Sequence, residues 1–317
     1  MKILLCRDLR LNGICTVSLS AEKASEWNNA RFRKFERLLH SAPKDGIGYM
    51  FILGRLFGTT LVSGDYIDSI SDLIRREPQL KVITFMTDED SHALSSASVT
   101  AENLHVLSPS ISTSYEDEHI TVTLEEEEIR VETKEEGEKF PISLKNYRVD
   151  GSGERIPSFE PYGFEDSFHD VFGYMITRIN EQGIRLELRP ETIYAYRFMK
   201  TEITPNEEEE IIMARIRKMV SANDEDTFVR MVLSGTTGVG VNIDTNKISQ
   251  ELMQYVFYAE VLDETRIDLS MYKPENDISL TNEFVRLALN DPSLSEAERS
   301  AVIRIGWNAL NNREEGK

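Results

Sequence analysis

The sequence predicts a layered α/β fold in two parts followed by a helical tail, and three observations carry that expectation. Apolar runs within 3–6, 45–58 and 81–86 each end in a charged or glycine-flanked turn, and segments of helical periodicity separate them, as in a sheet wound with helices. Residues 120–124 and 128–133 instead alternate apolar and polar positions around an acidic turn, which suits half-exposed antiparallel strands. Further on, Thr204-Pro205-Asn206-Glu207 gives a helix-start signal that opens a second strand and helix region.

The first run, Ile3-Leu4-Leu5-Cys6, breaks into Arg7-Asp8-Leu9-Arg10-Leu11-Asn12-Gly13. It reads as a buried strand that delivers polar groups to the loop at its carboxyl end, the usual ligand position in an α/β sheet. The run is too short to cross a bilayer and lacks the flanks of a secretory signal, so it is expected to belong to the fold. Residues 24–39 read as a helix with Trp27, Phe35, Leu38 and Leu39 on an apolar stripe and Phe32 nearby. The opposite side carries Arg31, Arg33, Lys34 and Arg37, a basic face expected to be solvated. The second run passes into Gly54-Arg55-Leu56-Phe57-Gly58, a helix over 66–76 ends at Pro78, and the third run meets Thr87-Asp88-Glu89-Asp90. Three strand ends thus bring charged groups to one edge of a sheet.

A short strand is expected over 103–108, and His119, beside an acidic run, reads as a surface residue. Residues 172–179 and 185–188 should pair across the Gln182-Gly183 turn. Thr204 is expected to cap a helix, with Pro205 at its first position and Glu207 completing a capping box. Strands over 227–235 and 258–263 should flank a helix over 246–256. Gly235-Thr236-Thr237-Gly238-Val239-Gly240 fits neither nucleotide fingerprint and reads as a turn. Two tail helices, 280–290 and 294–311, are separated by Asp291-Pro292, and the second carries a stripe of Leu294, Ala297, Ala301, Ile305 and Ala309, with Val302 and Trp307 at its edges.

At 317 residues the chain can bury a real core, and 40% hydrophobic with 29% charged residues describes a globular protein without a membrane span. A cytoplasmic setting is expected. Cys6 and Cys15 are too few for a disulfide framework and read as small apolar residues. The net charge of −19 disfavours unaided binding to a nucleic-acid backbone.

Together, Arg7-Asp8-Leu9-Arg10-Leu11-Asn12, Gly54-Arg55-Leu56-Phe57-Gly58 and Thr87-Asp88-Glu89-Asp90 resemble S-D-L-H-L-G, G-D-L-F-D and G-N-H-D, the signatures of the calcineurin-like metallophosphoesterases. The similarity is closest to the SbcD branch of DNA-repair exonucleases and covers nearly the full chain. It implies a metallophosphoesterase-like β-sandwich flanked by helices over 1–190, a small α/β capping domain over 191–275 and a C-terminal helical tail over 276–317. It also implies a two-metal site, in which this chain departs from the family. Asp8 remains, Arg10 stands in a histidine place, Arg55 replaces the bridging aspartate, and Asp88-Glu89 replaces an Asn-His pair. Ser152 and Glu154, in Tyr147-Arg148-Val149-Asp150-Gly151-Ser152-Gly153-Glu154, occupy the histidine places of the family's G-H-x-H turn.

Three functions follow as expectations. The favoured one is a structural or binding subunit that has lost metal-dependent hydrolysis and needs no cofactor. The second is an active exonuclease or phosphodiesterase using Asp8, Asp88, Asp90 and Glu154 around magnesium or manganese. The third is a binding module in which Arg10 and Arg55 hold a phosphate-bearing ligand. Arg10 and Arg55 are expected to pair with Asp8 and with the turn carrying Asp88 and Asp90. The resemblance implies an SbcC-like ATPase partner docked on the 280–311 helices, although the same stripe could pack on the chain's own domain. A homodimer is the other expected assembly, and DNA is expected only indirectly or through a partner.

Overall fold

The structure, a computed structural model, describes residues 1–59, 61–86, 101–125, 128–134, 142–150, 152–180, 182–205, 207–220, 225–238, 241, 243–268 and 279–311. Thr87, Asp88, Glu89 and Asp90 lie outside the described residues. The chain divides into two compact units, Met1–Ile193 and Tyr194–Lys317.

In the first unit, β1 (Lys2–Arg7), β2 (Tyr49–Leu53), β3 (Lys81–Phe85) and β4 (Leu104–Leu107) run parallel. The antiparallel pair β10 (Gly173–Asn180) and β11 (Gly183–Pro190) joins beside β1, so the order is β11-β10-β1-β2-β3-β4. Successive strand residues point to opposite faces, and an unbroken apolar run therefore serves two cores. Leu4, Cys6, Met50 and Ile52 meet helices α1 (Ala21–Lys44) and α2 (Gly64–Arg75) through Phe35, Leu38, Leu39, Ile67 and Ile70. Ile3, Leu5, Phe51, Ile83 and Phe85 face a second sheet. That sheet is an antiparallel meander, β5 (Ser114–Glu116), β6 (Ile120–Glu125), β7 (Glu128–Thr133), β8 (Ile142–Lys145) and β9 (Arg148–Val149), and it contributes Val122, Val131, Ile142 and Leu144 to the shared core. The layers are helices, mixed sheet and antiparallel sheet. A short helix, α3 (Phe164–His169), precedes β10.

The second unit begins with parallel strands β12 (Ala195–Ile203), β13 (Thr227–Thr237) and β14 (Tyr258–Asp263), while β15 (Arg266–Ile267) pairs with the end of β13. Helices α4 (Glu209–Met219) and α5 (Thr245–Leu252) bury Ile212, Met213, Ile216, Ile248 and Leu252 against one face of that sheet. A separate small core joins Ile267 to Val285 and Ala288 of α6 (Leu280–Leu289) and Ile303 of α7 (Glu296–Asn311).

Several local expectations change. Arg31 and Lys34 do not lie on a solvated face: each is 1% exposed, and only Arg33 and Arg37 of the basic set are exposed. The helix after residue 204 starts at Glu209, because β12 runs to Ile203 and leaves Thr204 still departing the strand. Half of the capping box survives in the turn, where the Thr204 N–H donates to Glu207 Oε2 at 3.2 Å. The following helix ends at Leu252 rather than at 256. In the tail, Ala301, Ile305 and Ala309 are exposed, and the packing face is instead centred on Ile303. Small residues set that choice: Ser300 Oγ accepts the Ile267 N–H at 2.9 Å, and Gly306 gives room to the Phe284 ring. Cys6 and Cys15 are free and buried, and the His119 side chain is 57% exposed. No helix among the described residues is long and apolar enough to cross a membrane.

Candidate functional site

At the carboxyl end of β1 the chain enters a loop in which Asp8 (φ 52°), Arg10 (φ 44°) and Asn12 (φ 55°) are left-handed. Side-chain-bearing residues in that region cost on the order of 1–3 kcal/mol each and persist only where neighbouring structure holds them. The loop is held by a backbone ladder along the β2 exit: the N–H groups of Asp8, Arg10 and Leu11 donate to the carbonyls of Leu53, Arg55 and Leu56 at 2.9, 3.1 and 2.8 Å. On its other side the Phe159 N–H donates to the Arg7 carbonyl at 2.9 Å. Gly54 (φ 72°) is required here, since a Cβ would lie 2.7 Å from Asp8 Oδ1 and 3.2 Å from the Tyr147 hydroxyl.

The centre of the site is Arg7, the last residue of β1. Its Nη1 donates to Asp8 Oδ2 at 2.9 Å, its Nη2 pairs with Asp170 Oδ2, and its Nε donates to the Ile156 carbonyl at 2.8 Å. The three side chains are 6%, 14% and 15% exposed, so the fork bridges two largely buried carboxylates. Asp8 Oδ1 accepts the Arg55 backbone N–H at 3.2 Å. Asp170 also accepts from Ser158 Oγ at 2.9 Å and lies 3.4 Å from Arg155 Nη1. The Tyr147 ring sits 5.3 Å from Arg7 Cζ. Burial pushes the Tyr147 phenol up and Asp8 adds to this, while Arg7, Arg55 and Arg10 oppose it, so one hydroxyl feels all four charges.

Arg10 faces a different group: its Nη1 is 3.9 Å from Asp166 Oδ2, and its Cζ is 4.8 Å from the Tyr162 ring centroid. The Tyr162 hydroxyl donates to the Arg10 carbonyl at 2.5 Å, and burial pushes its pKa up to about 12. It occupies a gap that exists because residues 13 and 58 are glycines, whose added Cβ atoms would come within 1.5 and 2.1 Å of it.

Two buried cations from α1 support these loops from beneath. Arg31 donates to the Leu9 carbonyl at 2.9 Å and the Pro161 carbonyl at 3.2 Å, and its Cζ lies 4.6 and 4.7 Å from the ring centroids of Trp27 and Tyr162. Lys34 Nζ donates to Glu160 Oε1 at 2.5 Å and to the carbonyls of Phe159 and Glu191 at 2.9 and 2.8 Å. Burial pushes Lys34 down and Glu160 up, and each is opposed by the other's charge.

The structure thus gives Asp8 a cation partner other than those expected. Arg7 supplies the guanidinium, Arg10 is directed to Asp166, and the described contact of Arg55 with Asp8 is made by its backbone. Arg7, at the end of β1, reaches both Asp8 and Asp170. Ser152 and Glu154 are exposed members of a tight turn, with Ser152 Oγ donating to the Val149 carbonyl and accepting the Glu154 N–H, both at 3.1 Å. Sequence reasoning did not single out Arg7, Ser158, Arg155 or Asp170.

A divalent metal requires several hard oxygen or imidazole donors converging on one point. The carboxylates of Asp8 and Asp170 instead converge on a guanidinium that already supplies the positive charge. Among the described residues no three His, Cys, Asp or Glu side chains gather in a metal-holding group. The described donor set does not fit a metal ion. In comparisons with known proteins, no family model and no curated protein matches the sequence.

Proposed function

We propose that this chain is an SbcD-like, metallophosphoesterase-fold protein that has lost metal-dependent hydrolysis and acts as a structural or binding subunit. The observation that carries the reading is the Arg7 fork between Asp8 and Asp170, a fixed internal cation where hydrolysis would need exchangeable metal and water. The layering of helices, mixed sheet and antiparallel sheet supports it. A partner surface is supported by Leu280, Leu287 and Ile305 on the tail helices, 73%, 62% and 71% exposed, and an SbcC-like coiled coil is the partner the reading favours. The test is to incubate the purified chain with manganese and either duplex DNA ends or bis-p-nitrophenyl phosphate. No turnover above buffer is expected. Metal-dependent turnover that disappears in an Asp8→Ala variant would overturn the reading.

One observation favours a second reading, a site for a phosphate-bearing ligand. Arg10 and Arg155 are 31% and 44% exposed, and their carboxylate contacts are long, 3.9 and 3.4 Å. Such guanidinium groups can rotate to grip a phosphate bidentately. Phosphate titration followed by Tyr147 fluorescence quenching, compared with a Tyr147→Phe variant, tests it. Quenching that is equal in the two proteins counts against this site.

A further inference from the structure

We propose that the cleft between α1 and α2 binds a small organic oxyanion, a phosphate, sulfate or carboxylate joined to a flat apolar body. The cleft is lined by none of the strand-end loop residues, and the inference does not depend on the function proposed above. Its volume is about 610 Å³, within the range of roughly 300–1,000 Å³ usual for small-molecule sites. Arg33 and Arg37 on α1 line one wall and Arg76, the C-cap residue of α2, lines the other. Leu39 and Leu73 line it as well, and the methylene stems of the three arginines add apolar surface. His40 Nδ1 meets Glu77 Oε1 at 2.7 Å, a bridge from one helix to the chain just beyond the other that ties the walls at their C-terminal ends.

The charge pattern identifies the ligand class. Arg37 is paired with Glu191, and Glu77 is paired with His40. Among the described residues, neither Arg33 nor Arg76 has a carboxylate within ion-pair distance. Glu36 also lines the cleft, one turn from Arg33, so the lining is three arginines against two glutamates. In a chain of net charge −19, two such guanidinium groups at one cleft, with the arginines there matching the glutamates in number once Glu191 is counted, stand apart from the acidic average. A guanidinium offers a planar fork to a carboxylate, sulfate or phosphate. The surrounding field repels simple anions, so an apolar body that buries surface on the stems and leucines is what raises affinity for this cleft over inorganic phosphate.

The experiment titrates 1-naphthyl phosphate into the full chain by calorimetry, with inorganic phosphate and 1-naphthylmethanol as separate arms. Saturable single-site binding of 1-naphthyl phosphate is expected, about tenfold tighter or more than either arm, because each arm lacks one of the two interactions. The Arg33→Gln, Arg76→Gln double variant changes two exposed side chains and should keep its melting temperature while binding about tenfold more weakly or less. Three outcomes overturn the proposal: no saturable binding, binding that survives the double variant, or inorganic phosphate binding as well as the aryl phosphate. Binding that is lost in Arg155→Gln but kept in the double variant assigns the anion to the strand-end site and also overturns it.

Discussion

Arg7 holds together two carboxylates that lie 162 positions apart in the chain, and its burial makes the arrangement costly to break. A buried ion pair contributes little net stability, yet deleting one partner strands the other, at about 3–5 kcal/mol. Arg7→Ala should therefore lower the urea midpoint far more than Arg185→Ala, which removes an exposed arginine. Arg7→Lys should recover less than half of the loss, since an ammonium is a point charge and cannot reproduce a three-way fork. Equal midpoints for Arg7→Ala and Arg185→Ala would remove Arg7 from its assigned role. Asp8 was legible in the sequence because a charged residue after an apolar run marks a strand end. Arg7 was not, because a strand-terminal arginine reads as the first residue of the solvated loop. Asp170 had no local signal, as only the folded sheet brings the start of β10 beside β1.

Asp117 gives a second residue-scale prediction. Burial alone would raise its carboxyl, but hydrogen bonds from Tyr115, from the backbone N–H groups of Ile120 and His119, and from Tyr49 outweigh that and pull the pKa from 3.8 to about 2. A depressed folded pKa means stability that is present above about pH 3.8 and lost as the pH falls towards about 2. Thermal melts of the native chain should drop across that window, and Asp117→Asn should show a shallower drop. Parallel pH profiles would dismiss Asp117 as a contributor.

At the scale of elements, α1 shows where pattern reasoning divides. Its amphipathic period was legible, and positions 27, 31, 34, 35, 38 and 42 all fall on the buried stripe. The spacing places Arg31 and Lys34 there, but their charge argues for solvent, and the carbonyls of Leu9, Pro161, Phe159 and Glu191 together with the Glu160 carboxylate explain why the spacing wins. Lys34→Ala should cost about 3–5 kcal/mol by stranding Glu160. A Lys34→Met, Glu160→Gln double variant should recover much of this, because it removes both charges and keeps an acceptor for the Ile193 N–H. If the double variant is no more stable than Lys34→Ala, the loss comes from packing and not from a stranded charge. The tail helix illustrates the opposite error, for the apolar stripe at 301, 305 and 309 was legible but it is not the face used within the unit. Ser300 and Gly306 decide that face through a hydrogen bond and a close ring contact, neither of which hydrophobicity reports.

Across the whole molecule, the strands with continuous apolar runs or clear alternation were legible and β12, whose residues show neither, was not; strand order was not legible either, because β10 inserts beside β1 from the far end of the unit. The end of the first unit is similarly set by contacts that no composition change announces. Glu160 accepts the Ile193 N–H at 3.0 Å, and Lys34 donates to the Glu191 carbonyl at 2.8 Å, so residues 191–193 close the buried pair beneath the site. Hydrogen bonds to charged groups contribute about 1.5–3 kcal/mol each. A fragment ending at residue 193 retains both, along with the two cores of the first unit, and should unfold cooperatively in urea. A fragment ending at residue 190, the boundary the family resemblance implies, loses both contacts and should unfold at clearly lower denaturant with the same slope. Coincident midpoints would show that residues 191–193 are linker and not part of the unit, and a non-cooperative transition in the longer fragment would show that the first unit does not fold alone.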